Sequence, residues 1–182
     1  MSYNLVVSTG RWREVQCINE LQVAAKLIGE GTEVLSVRRT GFPGLLTALV
    51  SSDPKVFTRR LRELVLTSKF IPSFILKVIP IEVVVSTDFE TIKRTAIELA
   101  IRGIPETATY KIEIRYRGVP INRMELINSI AKEIPRKVNL ENPEKVLHLE
   151  IFPESTGISV LSPSEEVFSL MKVLREAKLL RG

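Results

Sequence analysis

An α+β protein built from two consecutive domains is the fold class that this sequence predicts. Three observations carry the prediction. Apolar residues recur with period two in short segments and at helical spacing in longer ones, and the two kinds of segment alternate along the chain. The first 80 residues read strand, helix, strand, strand, helix, strand, an order that closes on itself as a small domain. A second series of elements begins after Ile79-Pro80-Ile81, so the expected domains are 1–80 and 81–182.

In the first half, Asn4 to Ser8 is a short apolar strand. A helical pattern with Ile18, Leu21, Ala25 and Ile28 follows and stops at Gly29. Trp12, flanked by Arg11 and Arg13 near the start of that helix, suits either stacking on a base or packing as a surface ring. Thr32 to Val37 and Leu45 to Val50 are strands joined through Arg38-Arg39-Thr40-Gly41-Phe42-Pro43-Gly44, a hairpin whose adjacent arginines can clamp a phosphate or stay solvated. Asp53-Pro54 caps the next helix. Its buried stripe is Phe57, Leu61, Leu64 and Val65, with Arg59, Arg60 and Arg62 pointing away as a solubility surface or an RNA contact. Phe74 to Val78 completes the set, and the resulting order is the ferredoxin-like pattern.

In the second half, Thr87-x-x-Glu90 is a capping box. It opens a helix with Phe89, Ile92, Ala96 and Leu99 on one face, ending near Gly103, and with Arg94 and Arg102 on the other side. From Tyr110 to Arg117 the apolar Tyr110, Ile112, Ile114 and Tyr116 alternate with Lys111, Glu113, Arg115 and Arg117, which predicts a half-buried strand with a basic outer face. Asn122-x-x-Glu125 caps a helix carrying Met124, Ile127, Ala131 and Ile134 as its apolar stripe, and Pro135 ends it, followed at once by Arg136 and Lys137. After a Val138-Asn139-Leu140-Glu141-Asn142-Pro143 connector, Val146 to Phe152 and Ile158 to Leu161 read as a hairpin. Ser162-Pro163-Ser164-Glu165 then starts a final helix with Val167, Leu170, Met171 and Leu174 on its apolar face.

The succession of strand, helix, connector and hairpin over Tyr110–Leu161 resembles the THUMP domain, an RNA-binding module of tRNA thiouridine synthases, tRNA methyltransferases and pseudouridine synthases. Val138, Asn139, Leu140 and Pro143 match that family's most recognisable run, usually Val-Asp-Leu followed shortly by Pro. Asn139 departs from the usual Asp, keeping the turn chemistry while losing a charge. THUMP proteins commonly carry a ferredoxin-like domain just before the core, so the expected whole is an N-terminal ferredoxin-like domain, a THUMP α/β domain and a C-terminal helix.

Charge narrows the binding reading. The formal net charge is +5, but residues 83–162 hold 11 Lys+Arg against 11 Asp+Glu, so an RNA contact there needs segregation of charge onto one face. Residues two apart on a strand lie about 6.6 Å from each other. Lys111, Arg115 and Arg117 therefore form a ladder that can follow a nucleic-acid backbone, extended by Arg136 and Lys137. Taken alone, the residues favour, by a small margin, a solvated face on which Glu113 neutralises Lys111 and Arg115. With the resemblance, the expected RNA-binding residues are Arg94, Lys111, Arg115, Arg117, Arg136 and Lys137.

Other chemistries find little support. The sequence has no Walker-type loop, no Gly-x-Ser-x-Gly elbow and no Gly-x-Gly-x-x-Gly after a strand. One cysteine, Cys17, and one histidine, His148, assemble neither a disulfide nor a cluster of soft metal ligands, so no metal and no cofactor are expected. His148 reads as a structural or surface residue more readily than as a general base. No run approaches the roughly 18 to 20 apolar residues of a membrane span and no secretory signal is evident, so a cytoplasmic location is expected.

The chain ends about 20 residues after the hairpin. With that, the resemblance implies a stand-alone THUMP adaptor that is not an enzyme. It would grip the acceptor end of tRNA and present it to a separate acetyltransferase making N4-acetylcytidine. The competing expectations are a ferredoxin-like protein-interaction or small-ligand module without RNA binding, and an enzyme with a site at His148.

Overall fold

The structure, a computed structural model, describes residues 2–29 and 31–181, with the backbone alone for residues 180 and 181. It comprises two compact units, Ser2–Pro80 together with Ser164–Gly182, and Ile81–Pro163.

The first unit starts with β1 (Leu5–Ser8), α1 (Glu14–Ile28), β2 (Val34–Arg39), β3 (Leu45–Val50), α2 (Pro54–Leu66) and β4 (Lys77–Pro80). The strands lie in the order β4-β1-β3-β2, every neighbouring pair antiparallel, with Leu5 opposite Ala48 on one side and Pro80 on the other. Two β-α-β crossovers thus interlock, because the β2–β3 hairpin returns β3 into the gap beside β1. Alternation puts Leu5, Val7, Leu46, Ala48 and Val50 on the face that α1 and α2 cover, where Cys17, Leu21, Phe57 and Leu61 are fully buried. Asp53 caps α2 by accepting from the Lys55 and Val56 amides at 2.8 and 3.2 Å, and Pro54 supplies the first helical position.

The second unit holds β5 (Val83–Ser86), α3 (Phe89–Gly103), β6 (Thr109–Tyr116), α4 (Arg123–Ala131), β7 (Lys137–Val138), β8 (Lys145–Ile151) and β9 (Ser155–Leu161). Its sheet order is β5-β9-β8-β6-β7, antiparallel as far as β8 and parallel from β8 through β6 to β7. Helices α3 and α4 cover the face that carries Tyr110, Ile114, Leu147, Leu149 and Ile158. Strand β8 is buried on both faces, which is why Val146, Leu147, Leu149 and Ile151 leave little room for alternation.

Two local expectations are corrected here. The cap of α3 is Asp88, which accepts from the Thr91 amide at 3.0 Å, while Thr87 donates its hydroxyl to Phe152 O at 2.7 Å. The buried stripe of α4 runs Leu126, Ile130 and on to Ile134, leaving Met124 61% exposed, because the four-residue spacing from Leu126 faces the sheet. The cap at Asn122 is as expected, with its side chain accepting from the Glu125 amide at 3.0 Å.

Beyond β9 the chain forms α5 (Pro163–Glu166), β10 (Phe168–Ser169) and α6 (Leu170–Arg181). The expected single helix is broken because Phe168 enters the first unit's core as a strand residue opposite Val78, so that β10 extends the first sheet beyond β4. Helix α6 then buries Leu170, Val173 and Ala177, leaving Met171 62% exposed. This segment, expected within the domain 81–182, belongs to the first unit, where it covers the face of α2 that the sequence leaves open. Arg59 pairs there with Glu166 at 3.1 Å, Arg62 pairs with Glu176, and Arg60 donates to Ile28 O at 3.3 Å.

Candidate nucleic-acid interface

Strand β6 carries the expected ladder. Parallel pairing keeps opposed residues on one face, so Lys111, Glu113 and Arg115 lie opposite the helix-covered side, in line with Val146, His148 and Glu150 of β8. On the other flank Lys137 of β7 is level with Thr109, which places its side chain on the same face as Lys111, one strand across and two residues back. Lys137 and Arg115 are exposed and Lys111 is half-buried. Glu113 accepts from Arg115 at 3.0 Å, leaving three cations and one carboxylate at this edge.

The other three expected residues are placed differently. Arg94 is exposed on α3, which packs on the opposite face of the sheet, and there it helps to hold the Asp88 carboxyl below its ordinary range, after the hydrogen bonds from Thr91. Arg136 turns inward. Its Nε donates to Ile104 O at 2.9 Å and one terminal nitrogen to Ile101 O at 3.3 Å, so its guanidinium closes the C-terminal end of α3. Arg117 donates to Glu150 at 2.9 Å and stands over the Phe152 ring, 5.6 Å from its centroid. Of the six, the structure therefore gathers Lys111, Arg115 and Lys137.

Glu150 is the hub of a network that sequence reasoning missed. Its second oxygen binds His148 Nε2 at 2.7 Å, with His148 3% and Glu150 1% exposed. Burial pushes the Glu150 carboxyl up, but the hydrogen bonds and charges of His148 and Arg117 outweigh it and hold the group below its ordinary value. A visible signal was available: His148 and Glu150 sit two apart within an otherwise apolar strand, where each needs a buried partner.

The connector before β8 is fixed by Asn139. Its amide donates to Tyr110 O at 2.9 Å, and its side-chain oxygen accepts from the amides of Glu141 and Asn142 at 3.2 and 3.0 Å. This is an Asx turn, which an aspartate makes equally well.

Residues 86–161, spanning most of the second unit, match the family model of the THUMP domain. The chain carries a THUMP domain. Among solved structures, PH1313 from Pyrococcus horikoshii Ot3 is similar at 16% identity and a TM-score of 0.60 over 87% of this chain and 54% of that one. TrmN from Thermus thermophilus is similar at 14% identity and a TM-score of 0.60, over 86% and 44%. A 4-thiouridine synthetase solved as an RNA complex with bound ATP gives 14% identity and a TM-score of 0.58, over 92% and 42%. At these identities the likeness is one of fold, and the chain spans about half the length of these proteins or less. Comparison with curated proteins gives no match. Around the THUMP domain the described residues contain no group of three or more metal-ligating side chains, and no described helix is long and apolar enough to cross a membrane.

Proposed function

We propose that this protein binds tRNA through the β6–β7 edge of its THUMP domain and presents it, in the cytoplasm, to a separate modifying enzyme. It does no chemistry of its own. The partner is an acetyltransferase that forms N4-acetylcytidine, and the element held is the acceptor end. The observation that carries the binding step is the convergence of Lys111, Arg115 and Lys137 on one sheet face, where they can contact the phosphates of a nucleic-acid backbone. The fold shared with a synthetase solved in complex with RNA supports the same reading. So does the first unit, whose β4-β1-β3-β2 antiparallel order supports the ferredoxin-like assignment that accompanies THUMP domains. The non-catalytic reading draws support from His148, whose ring is engaged by Glu150 in a buried network.

The test is a polarisation titration with intact tRNA and with the same tRNA lacking its single-stranded 3′ end. Three phosphate contacts give an affinity that falls about 20- to 40-fold between 50 and 200 mM salt. The Lys111→Gln/Lys137→Gln double variant removes two of them and should reduce that fall to about threefold. Acetylation of tRNA by the partner enzyme should then require the unmodified chain. Equal affinity for trimmed and intact tRNA would refute acceptor-end recognition, and absence of binding at low salt would refute the whole proposal in favour of a protein-interaction module.

A further inference from the structure

The first unit holds a second group of cations that the THUMP edge does not use, and at its centre is an exposed aromatic. Trp12 is 82% exposed, and its backbone is in the left-handed region at φ 65°, a conformation rare for a bulky side chain. The turn that displays it is fixed. Arg13 N donates to Gly10 O at 3.2 Å, Thr9 N to Gly44 O at 2.9 Å, and Gly44 N to the Glu14 carboxylate at 2.9 Å. Gly44, at φ 72°, approaches so closely that a Cβ there would stand 2.6 Å from Thr9 O. The β1–α1 turn and the tip of the β2–β3 hairpin are thereby locked into one surface.

That surface is positive. Arg11, Arg13 and Arg39 are all exposed, and among the described residues none of their guanidinium groups is hydrogen-bonded or ion-paired. Pairing of Arg39 with Leu46 puts it on the helix-covered side of the sheet, where its charge acts on Glu14. Glu14, the carboxylate in this turn, is engaged by the Gly44 amide, whose hydrogen bond is the main cause of its lowered pKa. Arg38 points to the other face of the sheet and takes no part.

We infer that Trp12 is a stacking platform for one unpaired nucleobase of a bound RNA, with Arg11, Arg13 and Arg39 holding the flanking phosphates. An indole face accepts any base, guanidiniums match phosphate oxygens, and a paired base is excluded because its neighbours in the duplex cover both its faces. The inference rests on the RNA-binding reading and adds a single-stranded contact on the first unit, separate from the basic edge of the THUMP domain.

Trp12 is the chain's single tryptophan, so its emission reports this site alone. The full chain is titrated with fluorescently labelled tRNA, with a short unstructured oligoribonucleotide and with an abasic oligomer of equal length, following both polarisation and tryptophan emission. The expected result is saturable quenching by both RNAs and none by the abasic oligomer. Trp12→Ala should weaken oligoribonucleotide binding about 5- to 150-fold and Trp12→Phe should recover most of it. Both variants should fold, since the side chain lies in solvent, and circular dichroism checks this. Binding of tRNA with unquenched emission and unchanged affinity in Trp12→Ala would overturn the stacking site while leaving THUMP-edge binding intact. Equal quenching by the abasic oligomer would overturn stacking as the cause. Failure of every RNA to bind would remove both readings.

Discussion

Replacing Glu150 with alanine tests the network that ties β6 to β8. The carboxylate is 1% exposed and accepts from His148 at 2.7 Å and from Arg117 at 2.9 Å. A hydrogen bond to a charged group contributes about 1.5–3 kcal/mol net. Arg117 is 27% exposed and can swing its guanidinium into water, so its share falls to about 1 kcal/mol or less. His148, at 3% exposure, cannot, and stranding its ring nitrogen costs about 1–3 kcal/mol. The expected loss is about 3 kcal/mol, equivalent to about 6–12 °C in Tm. Glu150→Gln keeps the shape and one acceptor and should lose about half as much. The sign of the pH dependence follows from the depressed acidity of Glu150. The unfolded chain takes up its proton first, so the stabilisation is present above the ordinary value of 4.5 and disappears as pH falls through the lower folded value. Urea unfolding at pH 7 and at a series below 4.5, with amide exchange read on β8 peptides, measures both effects. A loss under about 0.5 kcal/mol at pH 7, in the range of ordinary surface substitutions, would refute the argument.

Arg136→Ala should cost about 1–2 kcal/mol and release amide protection at the end of α3, since the carbonyls of Ile101 and Ile104 lose their donor; Arg136→Lys should restore only part, lacking the planar fork. Asn139→Asp should leave stability within about 0.5 kcal/mol, whereas Asn139→Ala should cost about 1 kcal/mol by removing the acceptor for the Glu141 and Asn142 amides, as thermal melts would show. Burial pushes the Cys17 thiol up to about 12, so iodoacetamide at pH 8 should label it only under denaturing conditions, as mass spectrometry would reveal; rapid labelling of the native chain would contradict its placement in the core.

What the sequence disclosed depended on how local the cause was. Helix α4 announced its start because Asn122 caps it within three residues, and β6 announced its faces because Tyr110 to Arg117 alternates without interruption. Strand β5 went unseen, since Val83-Val84-Val85 has no alternation to show that both its faces differ. Strands β7 and β10 have two residues each and exist only through partners far away, Thr109 for Lys137 and Val78 for Phe168. The same rule divides the candidate site. Lys111 and Arg115 could be placed on one face by counting, but Arg117 and Arg136 are held by Glu150 and Ile104, more than 30 positions distant in each case. Cations that read alike in the sequence therefore separate into phosphate candidates and structural ties.

The return of β10 and α6 to the first sheet sets an order on biosynthesis. A ribosome delivers β1 to β4 before the second unit, yet the groove that Phe168 fills and the α2 face that meets Glu166 and Glu176 stay open until β10 and α6 are made. Translation at about 5–20 residues per second leaves that half-finished unit waiting on the order of 5–20 s while the THUMP domain, encoded wholly in between, is synthesised and can fold. The second unit can therefore be complete before the first, and β1 to β4 wait unfinished, in need of protection from aggregation, while it is made.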